Sequence, residues 1–563
     1  PSDPAVLYLG AQFLFRSRDH GQTWERISPD LTTNDPEKQK QEESGGVTVD
    51  NSDAETHTTI YSISESPRDP HVIWVGTDDG NLQLTRDGGK TWTNVVANIP
   101  GLPKYSWVSW VEASRYDAAT AYAVFDRHTF GDMDPYAFKT TDYGRTWALV
   151  VDKGSGVRGY AHVIKEDTVS PALLFLGTEF GLWISIDGGK RWAEYKGHEF
   201  PSVAVRDIAL PPRESDLVVA THGRGIRIVD DITPLRKLTP EILAQDAAFI
   251  EGRPAQQRLQ AGGGWAEGNA AFTGSNPPEG ALITYYQAKR HIFGRMKIEI
   301  FDAQGKLVDT VPASSRRGLS RVEWPMRLKA PRVPPAATLA FEAAYGPRVL
   351  PGAYTVKMTR GDRTYTTRLD LTLDARAKFT AADRKVQYEA LLRLYNLLND
   401  MSYQVDRING VRDAADGRAA QLDPNDPLRN QLTALSGRAE TIRRKIVATK
   451  EGGAVTGELR IREKTTELYG DLQSYEGRPG DYQAARIESL QRELDDVTKE
   501  FDALVARDLP AANASLARKK AEPIRPLSRQ DWDSSSGGSG AIPPGASQVI
   551  SATPPAWAAH FAH

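Results

Sequence analysis

The sequence predicts a mainly β protein in three parts: a β-propeller that is incomplete in this chain, a β-sandwich, and an α-helical hairpin or bundle. Three observations predict this order. A short phrase that ends in tryptophan recurs four times in residues 1–250. Strand-like runs between turn residues fill residues 281–375, and heptad stripes of apolar residues fill residues 380–508.

The recurring phrase reads Ser/Thr-x-Asp-x-Gly-x-Thr-Trp, with Arg191 in place of threonine in the last copy. We expect each aspartate to accept hydrogen bonds from backbone N–H groups two or three residues further on, with glycine supplying a positive φ. Each tryptophan is expected to bury its ring against its own hairpin. A structural role is favoured over a catalytic or metal-binding one for Asp19, Asp87, Asp142, Asp187, Trp24, Trp92, Trp147 and Trp192.

Short apolar runs precede the phrase, as in residues 72–77 followed by 82–85. A fifth unit, residues 217–221 and 225–228, has the strands but ends in Val229-Asp230-Asp231 in place of the phrase. Runs of β-branched and aromatic residues between Gly-rich turns are typical of β-hairpins. The repeat therefore predicts a series of similar hairpin sheets.

The phrase resembles the Asp-box, or BNR repeat, of β-propellers in sialidases, xyloglucanase-type glycoside hydrolases, sortilin-like Vps10 domains and photosynthetic assembly factors. Residues 220–235 resemble the closing blade of large bacterial Vps10/sortilin-like proteins that are often labelled glycosyl hydrolases, and residues 126–142 are similar to the same group. The resemblance covers residues 1–250 well and the rest loosely. It implies a periplasmic or secreted protein, and it marks a fold rather than a reaction.

The relatives of this kind are longer, with further blades upstream, and this sequence opens part-way into a unit. A propeller needs roughly four to eight blades of four strands each. We therefore expect a missing N-terminal half, or a separate chain, to complete the propeller.

The later parts are predicted from local pattern. Residues 251–280 are polar and Gly-rich, which predicts a linker or long loop. In the sandwich, residues 350–354 resemble a step of immunoglobulin-like accessory domains, and a spacer role is favoured over a sugar-binding one. The helical part begins at a capping pattern in residues 380–383, and residues 509–563 are predicted to form an extended, flexible tail.

Charge and composition exclude several classes of function. The 563 residues include 70 basic and 73 acidic side chains, a net charge of −3, which gives no electrostatic reason to bind nucleic acid. There is no cysteine, so disulfides, thiolate zinc sites and cysteine nucleophiles are excluded. Histidines without metal-ligand spacing and the lack of nucleotide-binding motifs predict no metal and no cofactor. No apolar run is long enough for a transmembrane helix.

The best acidic cluster is the loop 126–134 in the third repeat. Paired carboxylates roughly 5–9 Å apart would suit glycoside hydrolysis, and Asp78, Asp79 and Glu179 fall at equivalent turns. The weak catalytic candidates of the loop are Asp126, Asp132 and Asp134.

The ligand-binding candidates are aromatic and basic residues. Two tryptophans three residues apart in one strand are expected on opposite faces, so at most one would be free to stack a sugar ring. The candidates are Trp107, Trp110, Arg127, His128, His222 and Arg224.

The first functional hypothesis is an extracytoplasmic binding and interaction protein that recognises a peptide, protein or glycan. The alternatives are a glycoside hydrolase with paired carboxylates on the propeller face, and an accessory subunit of a larger complex. A sialidase would need three clustered arginines and a Tyr/Glu pair, which the sequence does not assemble. Asp132 or Asp134 facing another carboxylate across an open cleft at hydrolase distance would favour the enzyme, whereas burial of these residues in salt bridges would exclude it.

Overall fold

A computed structural model describes residues 3–40, 43, 57–196, 200–213, 215–259, 278–294, 296–450 and 457–535. In the first part, five antiparallel sheets follow one another along the described chain, each a simple meander. Sheets 2 to 4 have four strands, and sheets 1 and 5 have three.

The strands of sheet 1 are β1 (Leu7–Gly10), β2 (Leu14–Ser17) and β3 (Glu25–Arg26), and those of sheet 2 are β4 (Ile60–Glu65), β5 (Ile73–Thr77), β6 (Leu82–Thr85) and β7 (Thr93–Asn94). Sheet 3 has β8 (Trp107–Ala113), β9 (Ala121–Asp126), β10 (Tyr136–Thr140) and β11 (Ala148–Val151). Sheet 4 has β12 (Ala161–Glu166), β13 (Leu174–Thr178), β14 (Gly181–Ser185) and β15 (Ala193–Glu194), and sheet 5 has β16 (Val205–Ala209), β17 (Leu217–Thr221) and β18 (Ile226–Val229).

Successive sheets pack face to face through their first strands. β4 contacts β8, β8 contacts β12, and β12 contacts β16. The second strands of sheets 2 to 4 are buried on both faces, and a glycine allows a close approach: a Cβ on Gly76 would lie 2.3 Å from Cγ1 of Val108 in the next sheet. Meander sheets that pack side by side around their first strands are the blades of a β-propeller.

The four recurring turns, residues 17–24, 85–92, 140–147 and 185–192, share one hydrogen-bond pattern, and we call them the Asp turns. In the first, Asp19 accepts hydrogen bonds from the Ser17 hydroxyl (2.7 Å), the Thr23 hydroxyl (2.7 Å) and the Thr23 backbone N–H (2.9 Å). In the fourth turn, the Arg191 side chain replaces the threonine hydroxyl at 2.9 Å. The carboxylate accepts the backbone N–H four residues further on at the shortest distance, and the N–H three residues further on, as expected, also lowers the pKa of Asp19.

The tryptophans of the three later turns contact the preceding sheet in addition to their own hairpin. Trp92 donates to the carbonyl of Gly89 in its own turn at 3.2 Å, in line with the expectation from sequence, and the contacts with the preceding sheet were not expected. The Trp92 indole N–H donates to the carbonyl of Ile27 at 3.1 Å, and that of Trp192 to the carbonyl of Val150 at 3.2 Å. Trp147 packs edge-on against Trp74 of sheet 2. Trp24, in the first sheet, is 42% exposed. Each later Asp turn therefore ties its sheet to the sheet before it.

The two end sheets are incomplete and expose apolar faces. The Asp turn follows β2 as it follows β6, so β1 corresponds to β5, and sheet 1 has no counterpart of β4 among the described residues. Tyr8 bonds to Glu65 of sheet 2, whereas Leu7 and Leu9 on the opposite face are 41% and 53% exposed.

At the other end, sheet 5 has no fourth strand among the described residues. Val205 and Val219 are packed into the core shared with sheet 4. On the opposite face, Ile226 and Ile228 of β18 are 70% and 60% exposed. The outer faces of sheets 1 and 5 are therefore not buried by the other sheets of this group of five.

A short helical stretch, α1 (Thr233–Lys237) and α2 (Pro240–Leu243), leads to two further sheets that share a core. One has the order β19 (Ala247–Ile250), β21 (Ala281–Gln287), β24 (Gly318–Trp324). The other has the order β20 (Ala255–Gln257), β26 (Arg363–Leu373), β25 (Gly352–Arg360), β22 (Met296–Phe301), β23 (Leu307–Pro312). β20 lies inside the predicted linker 251–280 and pairs in parallel with β26; residues 260–277 of that linker lie outside the described residues. The immunoglobulin-like topology stays a prediction.

The C-terminal part is helical. Its helices are α3 (Ala381–Ala420), α4 (Pro427–Ile446), α5 (Ile461–Gln473), α6 (Asp481–Arg518) and the short α7 (Arg529–Ser534). The Thr380 side chain and Asp383 form a capping box at the start of α3, and the predicted heptad residues form one core. α6 continues through Pro510 to Arg518, so the tail predicted from residue 509 begins as helix; residues 536–563 lie outside the described residues. Within the described ranges, no helix has the length and apolar character to cross a bilayer.

The Asp turns predict acid sensitivity of the propeller part. Hydrogen bonds from the Thr23 backbone N–H and from hydroxyls lower the pKa of Asp19 to about 2, and similar bonds lower the pKa of Asp87 and Asp142. A carboxyl with a depressed folded-state pKa stabilises the fold above its ordinary value near 3.8 and loses this contribution as the pH falls through the folded pKa. Tryptophan-fluorescence melts should show the melting midpoint falling between pH of about 4 and about 2.

The double variant Asp87→Asn/Asp142→Asn should melt at a lower temperature at neutral pH and lose less stability on acidification. The control is Asp496→Asn, an exposed carboxylate paired with Lys499 on α6. Identical pH profiles for the double variant and the unmodified chain would contradict the structural role of the turns.

Candidate functional site

The first strands of sheets 2 to 5 all begin at one end of the stack, which we call the upper face. The strand starts pair with the ends of the second strands, as Trp107 pairs with Asp126 and Ala161 with Thr178. The Asp turns follow the third strands and lie at the opposite end. The repeated carboxylates are therefore remote from the upper face.

The same β-bulge occurs near the start of each of these four strands. The extra residue is Tyr61 in β4, Ser109 in β8, His162 in β12 and Arg206 in β16. A bulge re-aims a side chain and often lies next to a functional site. Three of the four bulges thus present an aromatic or ionisable side chain at equivalent positions of successive sheets.

These side chains belong to a continuous row across the upper face. The ring centroids of Tyr61 and Trp107 lie 4.6 Å apart, and those of Trp107 and His128 lie 6.3 Å apart. His128 stacks on Tyr160 at 4.7 Å, and Tyr160 meets His162 edge-on at 4.8 Å. The row joins sheets 2, 3 and 4 without a break.

Asp126 fixes the orientation of His128. Its carboxylate is 2% exposed and lies 2.7 Å from Nδ1 of His128, and it also accepts the backbone N–H of His128 at 2.8 Å. A carboxylate against Nδ1 assigns the proton to that nitrogen. Nε2 of His128 is then the ring atom left for a ligand, and Asp126 is a buried positioning residue.

At the other end of the row, His162 lies between Glu179 and Arg206. Nε2 of His162 is 3.1 Å from Glu179, and Nδ1 is 3.3 Å from the Arg206 guanidinium. Burial, reinforced by the charge of Arg206, lowers the pKa of His162, so the ring is neutral and donates through Nε2.

Tyr160 also donates to Glu179. Burial and this hydrogen bond raise the pKa of Tyr160 to about 12. Burial alone would raise the pKa of Glu179, but the hydrogen bonds from His162 and Tyr160 outweigh burial and lower it. Glu179 is therefore ionised and accepts from two neighbours. The sequence alone did not predict this pairing of Tyr160 with Glu179.

The loop 126–134 does not present its carboxylates as a catalytic pair. Asp132 accepts from Arg127 at 3.2 Å and from the Tyr136 hydroxyl at 2.9 Å. Its pKa is lowered by these bonds and by the Asp134 backbone N–H, against the effect of burial. Asp132 therefore closes its own loop, and Asp134 joins the same closure through its backbone. Asp132 is thus salt-bridged but 27% exposed, so the criterion derived from the sequence, burial in salt bridges, is met only in part.

The two tryptophans of β8 depart from the expected geometry. The bulge at Ser109 shifts the register, so Trp107 and Trp110 pair with Asp126 and Val124, which share one face of β9. The expectation of opposite faces is therefore wrong. Trp110 is covered by the Lys165 ammonium, 4.3 Å from its ring centre, which leaves Trp107 as the tryptophan of the row.

The remaining sequence candidates lie on the same face outside the row. His222 and Arg224 are exposed in the turn between β17 and β18. Asp78 accepts the backbone N–H of Thr59 at 2.7 Å, and the buried Asp79 accepts two hydrogen bonds from Thr33. Both aspartates therefore hold loops.

Sequence reasoning missed Tyr61, Tyr160, His162 and Arg206 as members of the site. One signal was present: all four lie at or just before the start of the first strand of their repeat, as Trp107 does in β8. Further aromatic side chains surround the row on the upper face, and each is exposed: Tyr105, Phe130 and Phe180. In the part of the chain that the structure describes, no group of three histidine or acidic side chains has the arrangement of a metal site.

Comparisons with known proteins match the chain to proteins of several kinds. No protein-family model matches the chain. An oligoxyloglucan-reducing end-specific xyloglucanase of Emericella nidulans is 29% identical over 159 residues, which is 26% of this chain and 18% of the xyloglucanase. The chain therefore spans less than a fifth of that relative.

Solved structures give similar results. YCF48 bound to D1 peptide matches with 18% identity and a TM-score of 0.27, covering 40% of this chain and 62% of that one. The GH74 xyloglucanase from Xanthomonas campestris matches with 15% identity and a TM-score of 0.32, covering 68% and 65%. The Swd1 β-propeller domain from Myceliophteria thermophila matches with 14% identity and a TM-score of 0.29, covering 57% and 90%. The propeller assignment rests on the strand order and packing described above.

The electrostatic coupling at the end of the row is directly testable. Replacing Arg206 with glutamine removes a positive charge beside His162, so the pKa of His162 should rise. Histidine NMR titration measures this, with the His162 signal assigned by its loss in His162→Gln. Arg224→Gln removes a neighbouring exposed arginine of the same face and should leave the titration unchanged. An unaltered His162 titration in Arg206→Gln would show that the two side chains do not interact.

Proposed function

We propose that the chain forms part of an extracytoplasmic β-propeller whose upper face binds a peptide, protein or glycan. The recurring phrase supports an Asp-box propeller of the Vps10/sortilin-like kind. The observation that carries the proposal is the unbroken row from Tyr61 through Trp107, His128 and Tyr160 to Arg206. A row that crosses several blades suits an extended ligand rather than a small one.

The row offers the contacts that such ligands need. Tyr61 is 56% exposed and provides an apolar ring with a polar tip. His128 and Glu179 provide acceptors, and Arg206, about two-fifths exposed at its side chain, provides donors. Because neighbouring hydrogen bonds already hold these groups, little side-chain ordering opposes binding.

A glycoside hydrolase is the second candidate, and the sequence match to the xyloglucanase favours it. Glu179 is the carboxylate of the row that is partly open to solvent, whereas Asp126 is buried against His128. Hydrolysis by two carboxylates needs both to reach the substrate. The burial of Asp126 and the closure of Asp132 within its loop therefore place the enzyme second.

Truncation of the row should weaken ligand binding. Peptides selected by display on the chain, and xyloglucan oligosaccharides, are the probes. For a probe that binds the unmodified chain, Tyr61→Ala and Trp107→Ala should each weaken binding about ten-fold, since buried aromatic anchors dominate interface energetics. Isothermal titration calorimetry measures the change. Tyr482→Ala, at a more exposed tyrosine on α6, is the matched control and should bind normally.

The same preparation separates the two candidate functions. The proposal predicts that xyloglucan incubated with the chain releases no reducing ends. Release of reducing ends that Glu179→Gln abolishes, with oligosaccharide binding retained, would overturn the binding proposal in favour of a hydrolase. Equal affinity of probes for Tyr61→Ala, Trp107→Ala and the control would place binding elsewhere.

We also propose that further blades, from a missing N-terminal half or from a separate chain, cover the two end sheets. The exposed faces at Leu7 and Leu9 and at Ile226 and Ile228 support this, because the corresponding faces of sheets 2 to 4 are buried by a neighbouring sheet. Contiguous exposed aliphatic side chains on a sheet mark an interaction surface. The accessory-subunit alternative is one form of this proposal.

Native mass spectrometry of the assembly purified from its source tests the covering of the end sheets. We expect the chain to be accompanied by, or continuous with, additional polypeptide. Ile226→Thr/Ile228→Thr should weaken that association, and Leu149→Thr, at an exposed leucine on β11, should not. A lone chain of this sequence without a partner would contradict the proposal.

A further inference from the structure

A groove outside the propeller lies between the turn at Phe341–Ala343 and α5. Its volume is about 480 Å³. The rings of Phe341 and Tyr345 are 62% and 63% exposed at its edge. We call it the Phe341 groove; its charged and aromatic lining residues are Arg327, Phe341, Glu342, Tyr345, Glu467 and Asp471.

The backbone beneath the exposed rings is held in place. The Tyr469 hydroxyl donates to the carbonyl of Tyr345 at 2.9 Å, and the Gln473 amide donates to the carbonyl of Glu342 at 3.2 Å. Gly470 of α5 has no side chain, and a Cβ there would lie 2.7 Å from Cγ of Glu342. The groove is therefore a formed feature of the surface, and filling it does not require the backbone to be ordered first.

The charge of the lining is unbalanced. Three carboxylates, Glu342, Glu467 and Asp471, face one guanidinium, that of Arg327. Arg327 donates to Gln473 at 2.8 Å and to the carbonyl of Gly346 at 3.0 Å. The Arg327 guanidinium also lies 5.8 Å from the centre of the Tyr345 ring, so this ring already has a cation beside it. The charge of Arg327 is therefore used within the wall of the groove, and the Phe341 ring is the aromatic face beside the exposed carboxylates.

Exposed aromatic rings beside carboxylates are suited to a cation. A guanidinium stacks on an aromatic face and pairs with a carboxylate through its N–H groups at the same time. Leu339, two residues before Phe341 in the chain, is also exposed, at 63%. A small amine would leave this leucine uncovered, whereas a polypeptide segment with an apolar residue next to the cation would cover it.

We propose that the Phe341 groove docks an arginine-bearing segment of a partner protein. The arginine head stacks on Phe341 and pairs with Glu467 or Asp471, and a neighbouring apolar side chain packs on Leu339. This site is independent of the upper face of the propeller. Residues 536–563 contain no arginine or lysine, so they do not supply this cation.

Fluorescence polarisation with the full chain tests the proposal. The probe is a labelled peptide of alternating leucine, arginine and glycine, and the comparison peptide has glutamate in place of arginine. The arginine peptide should bind and the glutamate peptide should not. Phe341→Ala/Tyr345→Ala and Glu467→Gln/Asp471→Asn should each weaken binding about ten-fold. Tyr482→Ala and Asp496→Asn are the matched controls, and circular dichroism verifies that each variant is folded.

Three outcomes would overturn the proposal. The first is no binding of the arginine peptide at concentrations up to about 1 mM. The second is binding that the groove variants leave unchanged, which would show that the arginine peptide binds to a different surface of the chain. The third is competition by free arginine amide as strong, mole for mole, as by unlabelled peptide, which would make the groove a site for a small cation instead of a protein segment.

Discussion

The hydrogen bonds of the Asp turns are the constraint on which the propeller part depends. Each carboxylate closes the turn between the last two strands of its sheet, and in three of the four turns the following tryptophan contacts the preceding sheet. The turns therefore join sheets at the lower end, while the first strands pack together along the axis. Charge-assisted hydrogen bonds to backbone N–H groups are among the stronger ones, which suits a joint that is largely open to solvent.

The arrangement of side chains on the upper face follows from the way successive sheets are joined. Once successive sheets are aligned, equivalent positions of their first strands come side by side, and a bulge at the same place in each strand turns one side chain outward. Tyr61, His162 and Arg206 then belong to one row although they are far apart in sequence. The scaffold thus separates its two ends: carboxylates hold the lower one, and aromatic and ionisable groups occupy the upper one.

Much of the fold could be predicted from the sequence because its signals are local. The Asp turns repeat within eight residues, and the heptad stripes of α3, α4 and α6 fix their buried faces directly. The site was only partly accessible. A bulge adds one residue without changing the apolar pattern, so the shared face of Trp107 and Trp110 could not be deduced. The contact of Tyr160 with Glu179 and the pairing of β20 with β26 both join residues that are distant in sequence, and no local pattern predicts them.

The claim that carboxylates close the Asp turns can be measured at single amides. Amide hydrogen exchange reports whether a backbone N–H is bonded to the aspartate four residues before it. The four amides to measure belong to residues with exposed side chains: Thr23, Thr91, Thr146 and Arg191. The account predicts that all four exchange slowly and that asparagine at one turn speeds exchange at that turn first. Exchange at the rate of an unstructured peptide in all four turns would contradict it.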